Sequence, residues 1–110
     1  MKLQTVALAI ATVITLAQSA EANECKMLDI IQQRVEYLTA RHQQAALLEA
    51  LAGRDHSVYT ELAERYSAVS RFNSAYMEDK GCKRFRVKPT AVETFLADEV
   101  IAKLDKMLQR

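Results

Sequence analysis

The stretch LAGRDHS, residues 51–57, is the most turn-like break in a long run of helix-forming sequence. It holds Gly53, one of only two glycines, followed by Asp55 and Ser57, either of which can cap a new helix. Gly53 suits the position just past a helix end, where the backbone turns left-handed. The chain has two cysteines, Cys25 and Cys82, and the point midway between them falls between Gly53 and Arg54. A helix over about residues 25–52 and a second over about 56–80 would each be on the order of 40 Å long. Folded back at Gly53, they return Cys82 to the level of Cys25. The expected fold is all-α: an antiparallel helical hairpin clasped at its open end by a Cys25–Cys82 disulfide, with a third packed helix completing a small three-helix bundle.

Hydrophobic spacing supports each helix. In the first, Leu28, Ile31, Val35, Leu38, His42 and Ala45 recur at intervals of three and four, and Leu47, Leu48 and Leu51 continue an apolar side toward the turn. In the second, Val58, Leu62, Tyr66, Val69 and Tyr76 form the stripe, widened by Tyr59, Phe72 and Met77, and Gly81 marks the end. After Pro89, the sequence Thr90-Ala91-Val92-Glu93 has the form of a capping box. A third helix over about 91–108 follows, with Leu96, Val100, Ile101, Leu104 and Leu108 on its buried side.

The N-terminus reads as an export signal. Lys2 precedes a largely apolar run from Leu3 to Ala17, and Ala20 and Ala22 stand at the −3 and −1 positions of a cleavage site. The expectation is a signal peptide over 1–22, a single helical domain over 23–110 and residence in a bacterial periplasm. The apolar run is shorter than the roughly 20 residues a span requires. A domain of under about 90 residues has a modest core, and an oxidising compartment lets a disulfide reinforce it.

Chemistry is sparse. His42 and His56 lie on different expected elements, so no metal site and no cofactor are expected, and the absence of C-x-x-C-H removes covalent haem. Ser57, Ser67, Ser70 and Ser74 lack the elbow that exposes a serine nucleophile. Glu36, Glu49, Glu61 and Glu64 read as the wet faces of amphipathic helices. Arg34 and Arg41 fall a heptad apart and share a face, but nothing accompanies them that would complete a cationic catalytic pocket.

One stretch stands out. The chain is nearly neutral, with 15 Lys+Arg against 14 Asp+Glu, yet DKGCKRFRVKP concentrates Lys80, Lys83, Arg84, Arg86 and Lys88 within residues 79–89. In an extended segment, Phe85 and Val87 would point one way and pin the segment, while Arg84, Arg86 and Lys88 would point the other way into water. The functional expectation is a non-enzymatic exported binding protein of the cell envelope (an inhibitor, an immunity-type protein or an accessory subunit). Its basic segment reads either as a crossover loop whose leading cations, Lys80 above all, offset the C-terminal dipole of the second helix, or as an edge that docks a protein with an acidic surface or anionic lipid; export argues against nucleic acid. The alternative is a periplasmic holdase chaperone: in size and layout alone, the chain is similar to the small, disulfide-stapled acid-stress chaperones of that compartment. A small all-helical enzyme ranks third.

Overall fold

A computed structural model describes residues 21–109, with side chains from residue 24. The signal-peptide reading falls on residues 1–22 and thus lies almost wholly outside the described residues. Three helices follow in order: α1 (Glu21–Leu51), α2 (Ser57–Asp79) and α3 (Ala91–Leu108). The fold is the expected disulfide-clasped hairpin with a third packed helix. Its largest departure in boundaries is that α1 begins at Glu21, before Cys25.

Both glycines end helices in the same way. Gly53 and Gly81 each have φ 75, a left-handed conformation that other residues adopt only with strain. At the first turn, Gly53 N donates to Ala50 O at 3.1 Å and Arg54 N donates to Glu49 O at 2.8 Å. At the second, Gly81 N donates to Glu78 O at 3.0 Å and Cys82 N to Met77 O at 2.8 Å. These are Schellman pairs, which satisfy carbonyls that a helix end otherwise leaves open. The second pair sets Cys82 immediately past its helix, with its Cα 5.3 Å from that of Cys25 and the disulfide formed. The start of α2 is looser than expected. His56 occupies the cap position without a side-chain cap, and Asp55 instead accepts from Ser57 N at 3.0 Å. The capping box of α3 is complete: Thr90 Oγ1 accepts from Glu93 N, and Glu93 Oε1 accepts from Thr90 N.

Ion pairs fix how α3 lies on the hairpin. Glu93 meets Lys26 at 3.3 Å, Asp98 meets Arg34 at 2.7 Å, and Asp105 meets Arg65 at 2.7 Å. The first two show α3 starting at the clasp and rising alongside α1. The core sits at that end, built from Leu28, Ile31, Val35, Val69, Met77, Val100, Ile101 and Leu104. At 1.5 Å per residue, α1 is about 46 Å long and α3 only about 27 Å. The hairpin tip therefore rises past α3 as two helices alone. That length difference explains why Leu47, Leu48, Leu51 and Val58, which the sequence pattern assigns to an apolar seam, are 57–76% exposed.

The base of α1 is enclosed on all sides. Met27, Leu28, Asp29, Ile30, Ile31 and Gln32 are consecutive and all buried. A helix packed on one flank cannot bury six successive residues, since they point around the full circle. Here α2 covers one flank, α3 another, and the chain between α2 and α3 covers the third.

Candidate docking segment and its anchor

That connecting chain is the basic stretch. Its position is set by Asp29, whose side chain is 0% exposed. One carboxylate oxygen accepts from Arg84 Nε at 2.6 Å. The other accepts from the backbone N–H of Arg86 at 2.8 Å and from Gln33 Nε2 at 2.9 Å. Gln33 Nε2 also donates to Val87 O at 3.1 Å, so one α1 side chain ties the carboxylate to the segment. Burial alone would push the Asp29 carboxyl up. The bonds from Arg84, Gln33 and the Arg86 backbone, together with the Arg84 charge, outweigh it and hold the group below the ordinary carboxylate range. Burial likewise works against the Arg84 cation, but its bonds to Asp29 and Glu36 raise its pKa.

Arg84 also donates to both oxygens of Glu36, at 3.3 and 3.4 Å. Glu36 in turn accepts from Gln32 Nε2 at 3.1 Å, and the same nitrogen donates to Ser70 Oγ at 2.8 Å. Gln32 Oε1 accepts from Asn73 Nδ2, which also donates to Leu28 O. A continuous polar chain thus runs from buried Asn73 on α2, through α1, to the basic segment. Glu36, read from the sequence as part of a solvated face, is a receptor for Arg84.

The five cations divide into two groups. Lys80 reaches Glu24 at 3.0 Å and lies 5.7 Å from the centroid of the Tyr76 ring. Arg84 turns inward to Asp29. Lys83, Arg86 and Lys88 are exposed and make no ion pair with the described residues. This corrects the expected division of labour. Phe85 is 54% exposed and Val87 alone of the apolar pair packs against the core, while Arg84 points into the protein instead of toward water. The cause is local: Arg86 has φ 53, which breaks the alternation an extended segment requires. A left-handed arginine costs on the order of 1–3 kcal/mol and persists where surrounding bonds determine it. The bond from its N–H to Asp29 is such a constraint.

The other singled-out residues are scattered. His42 Nδ1 lies 2.8 Å from Leu38 O, and its ring centroid is 5.2 Å from that of Tyr66. His56 Nδ1 lies 2.9 Å from Thr60 Oγ1 in the turn. Glu49 pairs with Arg54 and Glu61 with Arg65. Arg34 and Arg41 do share a face, both lying over the Tyr37 ring at 5.3 and 5.8 Å, but Arg34 is committed to Asp98. Between α1 and α2, toward the tip, lies an open groove of about 580 Å³ lined by Gln43, Thr60, Glu64, Ser67 and Arg71 among others.

The sequence reading identified the cations and missed their receptor: Asp29, Gln33 and Glu36. The available signal was MLDII, residues 27–31, where an aspartate interrupts an apolar run. No family model matches the chain, nor does any curated protein or solved structure.

Proposed function

We propose that this chain is a non-enzymatic, exported binding protein of the cell envelope that docks an anionic partner through Lys83, Arg86 and Lys88. The observation that carries this reading is the division within the basic segment. Lys80 and Arg84 are consumed in holding the segment to α1, whereas the other three cations are exposed on a backbone fixed by a buried carboxylate. Exposed charges of one sign steer and orient an oppositely charged partner, and a backbone already held by Asp29 and Gln33 has less ordering entropy left to lose on docking. Export supplies the compartment in which the Cys25–Cys82 bridge persists.

A second reading, a periplasmic holdase, is favoured by the tip. Leu47, Leu48, Leu51 and Val58 are exposed there, and Tyr59 is 38% exposed. An uncovered apolar end can hold unfolded clients without regard to their charge.

One comparison separates the two. Lys83, Arg86 and Lys88 are replaced together by glutamine, and capture from envelope extract is measured at low and high salt. The expected result is a single predominant captured species that weakens with salt in the parent and weakens at low salt in the variant. Unchanged capture by the variant, together with suppression of aggregation of unrelated proteins by the parent, would replace the docking reading with the holdase.

A further inference from the structure

We infer that the hairpin tip pairs with the tip of a second copy of this chain, inverted so that each tip sits above the other copy's α3. Leu47, Leu48, Leu51 and Val58 are the large apolar residues left uncovered there. Two ion pairs place Leu48 and Val58 on the faces that α3 packs against. Arg34 binds Asp98 and so faces α3, and Leu48 lies two heptads further along α1. Arg65 binds Asp105, and Val58 lies one heptad nearer the tip on α2. A residue one heptad away keeps nearly the same face, with a drift of about 20°. At 1.5 Å per residue, Leu48 stands about 21 Å above Arg34, while α3 ends at Leu108, about 15 Å above Asp98. Val58 stands about 10.5 Å above Arg65, and Leu108 only about 4.5 Å above Asp105. Both routes put the two residues about 6 Å past the end of α3. The apolar seat that α3 fills lower down therefore continues to the tip.

Charge selects the occupant. The tip carries Asp55 and Glu61, both exposed, beside the Glu49–Arg54 pair, which neutralises itself. Asp55 Oδ1 accepts from Ser57 N, and Glu61 has only a long contact to Arg65, at 3.9 Å. Just below the uncovered seat stand Arg41 on α1 and Lys103 and Lys106 in the last two turns of α3. All three are exposed and make no ion pair with the described residues. Asp98 and Asp105 are already neutralised by Arg34 and Arg65. Glu99, one turn below Lys103, offsets part of the positive charge. Glu64 is level with the end of α3 but lines the groove between α1 and α2. One chain thus holds an acidic tip and a basic collar beneath it. An inverted second copy uses both contacts twice: each tip meets the other's collar, and the leucines of the two tips meet between them. The contact is isologous and closes as a dimer. The basic segments lie at the two far ends and stay free, whereas the apolar end that a holdase needs exposed is covered.

The test is sedimentation velocity of the oxidised protein, expressed from the full sequence, across a concentration series. A dimer that dissociates on dilution is expected. Leu48→Gln with Leu51→Gln should weaken it about a hundredfold or more, from the apolar area no longer removed from water, and should leave helical content unchanged because both side chains are exposed. Charge reversal tests the orientation. Lys103→Glu with Lys106→Glu makes the collar acidic, and Asp55→Lys with Glu61→Lys makes the tip basic. Each variant alone should dimerise at least about tenfold more weakly, because like charges then oppose each other at both contacts. Mixed together, the two should form a heterodimer, since every contact again joins opposite charges. A parent that is monomeric throughout the series would overturn the inference and leave the tip to the holdase reading. A leucine variant that dimerises like the parent would place the contact elsewhere and overturn it as well. Charge-reversed variants that fail to pair on mixing would overturn the inverted arrangement.

Discussion

Asp29→Ala lowers the stability of the oxidised protein by about 3 kcal/mol, the usual cost of breaking a buried, hydrogen-bonded charge pair by removing one partner. The substitution leaves Arg84 Nε without its shortest acceptor, strips the Arg86 N–H of its partner and takes one acceptor from Gln33. For a domain of this size, the loss corresponds to a fall in melting temperature on the order of 10–25 °C. The pH dependence has a definite sign. The folded pKa of Asp29 lies below its ordinary 3.8, so its contribution is fully present above that value and is lost as pH falls through the folded value. Glu93 is lowered too, by the bond from Thr90 N and by Lys26, so the parent should lose stability in acid, and Asp29→Ala should lose less of it there. Thermal unfolding of both proteins between pH 7 and pH 2.5 checks magnitude and sign together. Parallel curves would show that Asp29 is not the anchor.

Reducing the Cys25–Cys82 bridge has an effect at least as large. The cysteines are 57 residues apart, and closing a loop of that length removes about 4 kcal/mol of unfolded-state entropy on the chain-entropy model. The bridge ties α1 to the residue that opens the basic segment, so reduction also loosens the segment that covers Asp29. Melting followed by circular dichroism, with and without a phosphine reductant and with thiols counted afterward, should show a fall of more than 15 °C, on the conversion of about 4–8 °C per kcal/mol. Two free thiols with an unchanged melting point would mean that the reduced chain is already as constrained as the bridged one.

The hairpin was legible in the sequence because two independent signals coincided: a glycine break at 51–57 and a pair of cysteines equidistant from it. The third helix was legible because the Thr90–Glu93 capping box is a local device, complete within four residues. What escaped the sequence is what depends on tertiary arrangement. Leu47, Leu48 and Leu51 have the pattern of a packed face, but whether they are covered is decided by how far α3 reaches, a length on another helix. Phe85 looked like an anchor because strict alternation was assumed across residues 83–88. A single left-handed residue, Arg86, reverses the assignment, and that conformation follows from a bond to a carboxylate 57 residues away. Asp29 is the instructive miss. An aspartate between Leu28 and Ile30, in a segment whose neighbours on both sides are apolar, is buried as a carboxylate only with hydrogen-bond donors or a cation brought to it, and the basic stretch supplies both.

The basic segment is divided: Arg84 holds it to α1, and Lys83, Arg86 and Lys88 are exposed. Thermal unfolding of two variants tests that division most directly: Arg84→Gln alone, and the three exposed cations replaced together by glutamine. Arg84→Gln should lower stability by about 2 kcal/mol, because a buried carboxylate loses its charged partner. The triple variant should lose less than about 1 kcal/mol in total, since exposed charges contribute little to folding. A triple variant that is destabilised as much as Arg84→Gln, or more, would contradict the division and return all five cations to a purely structural role.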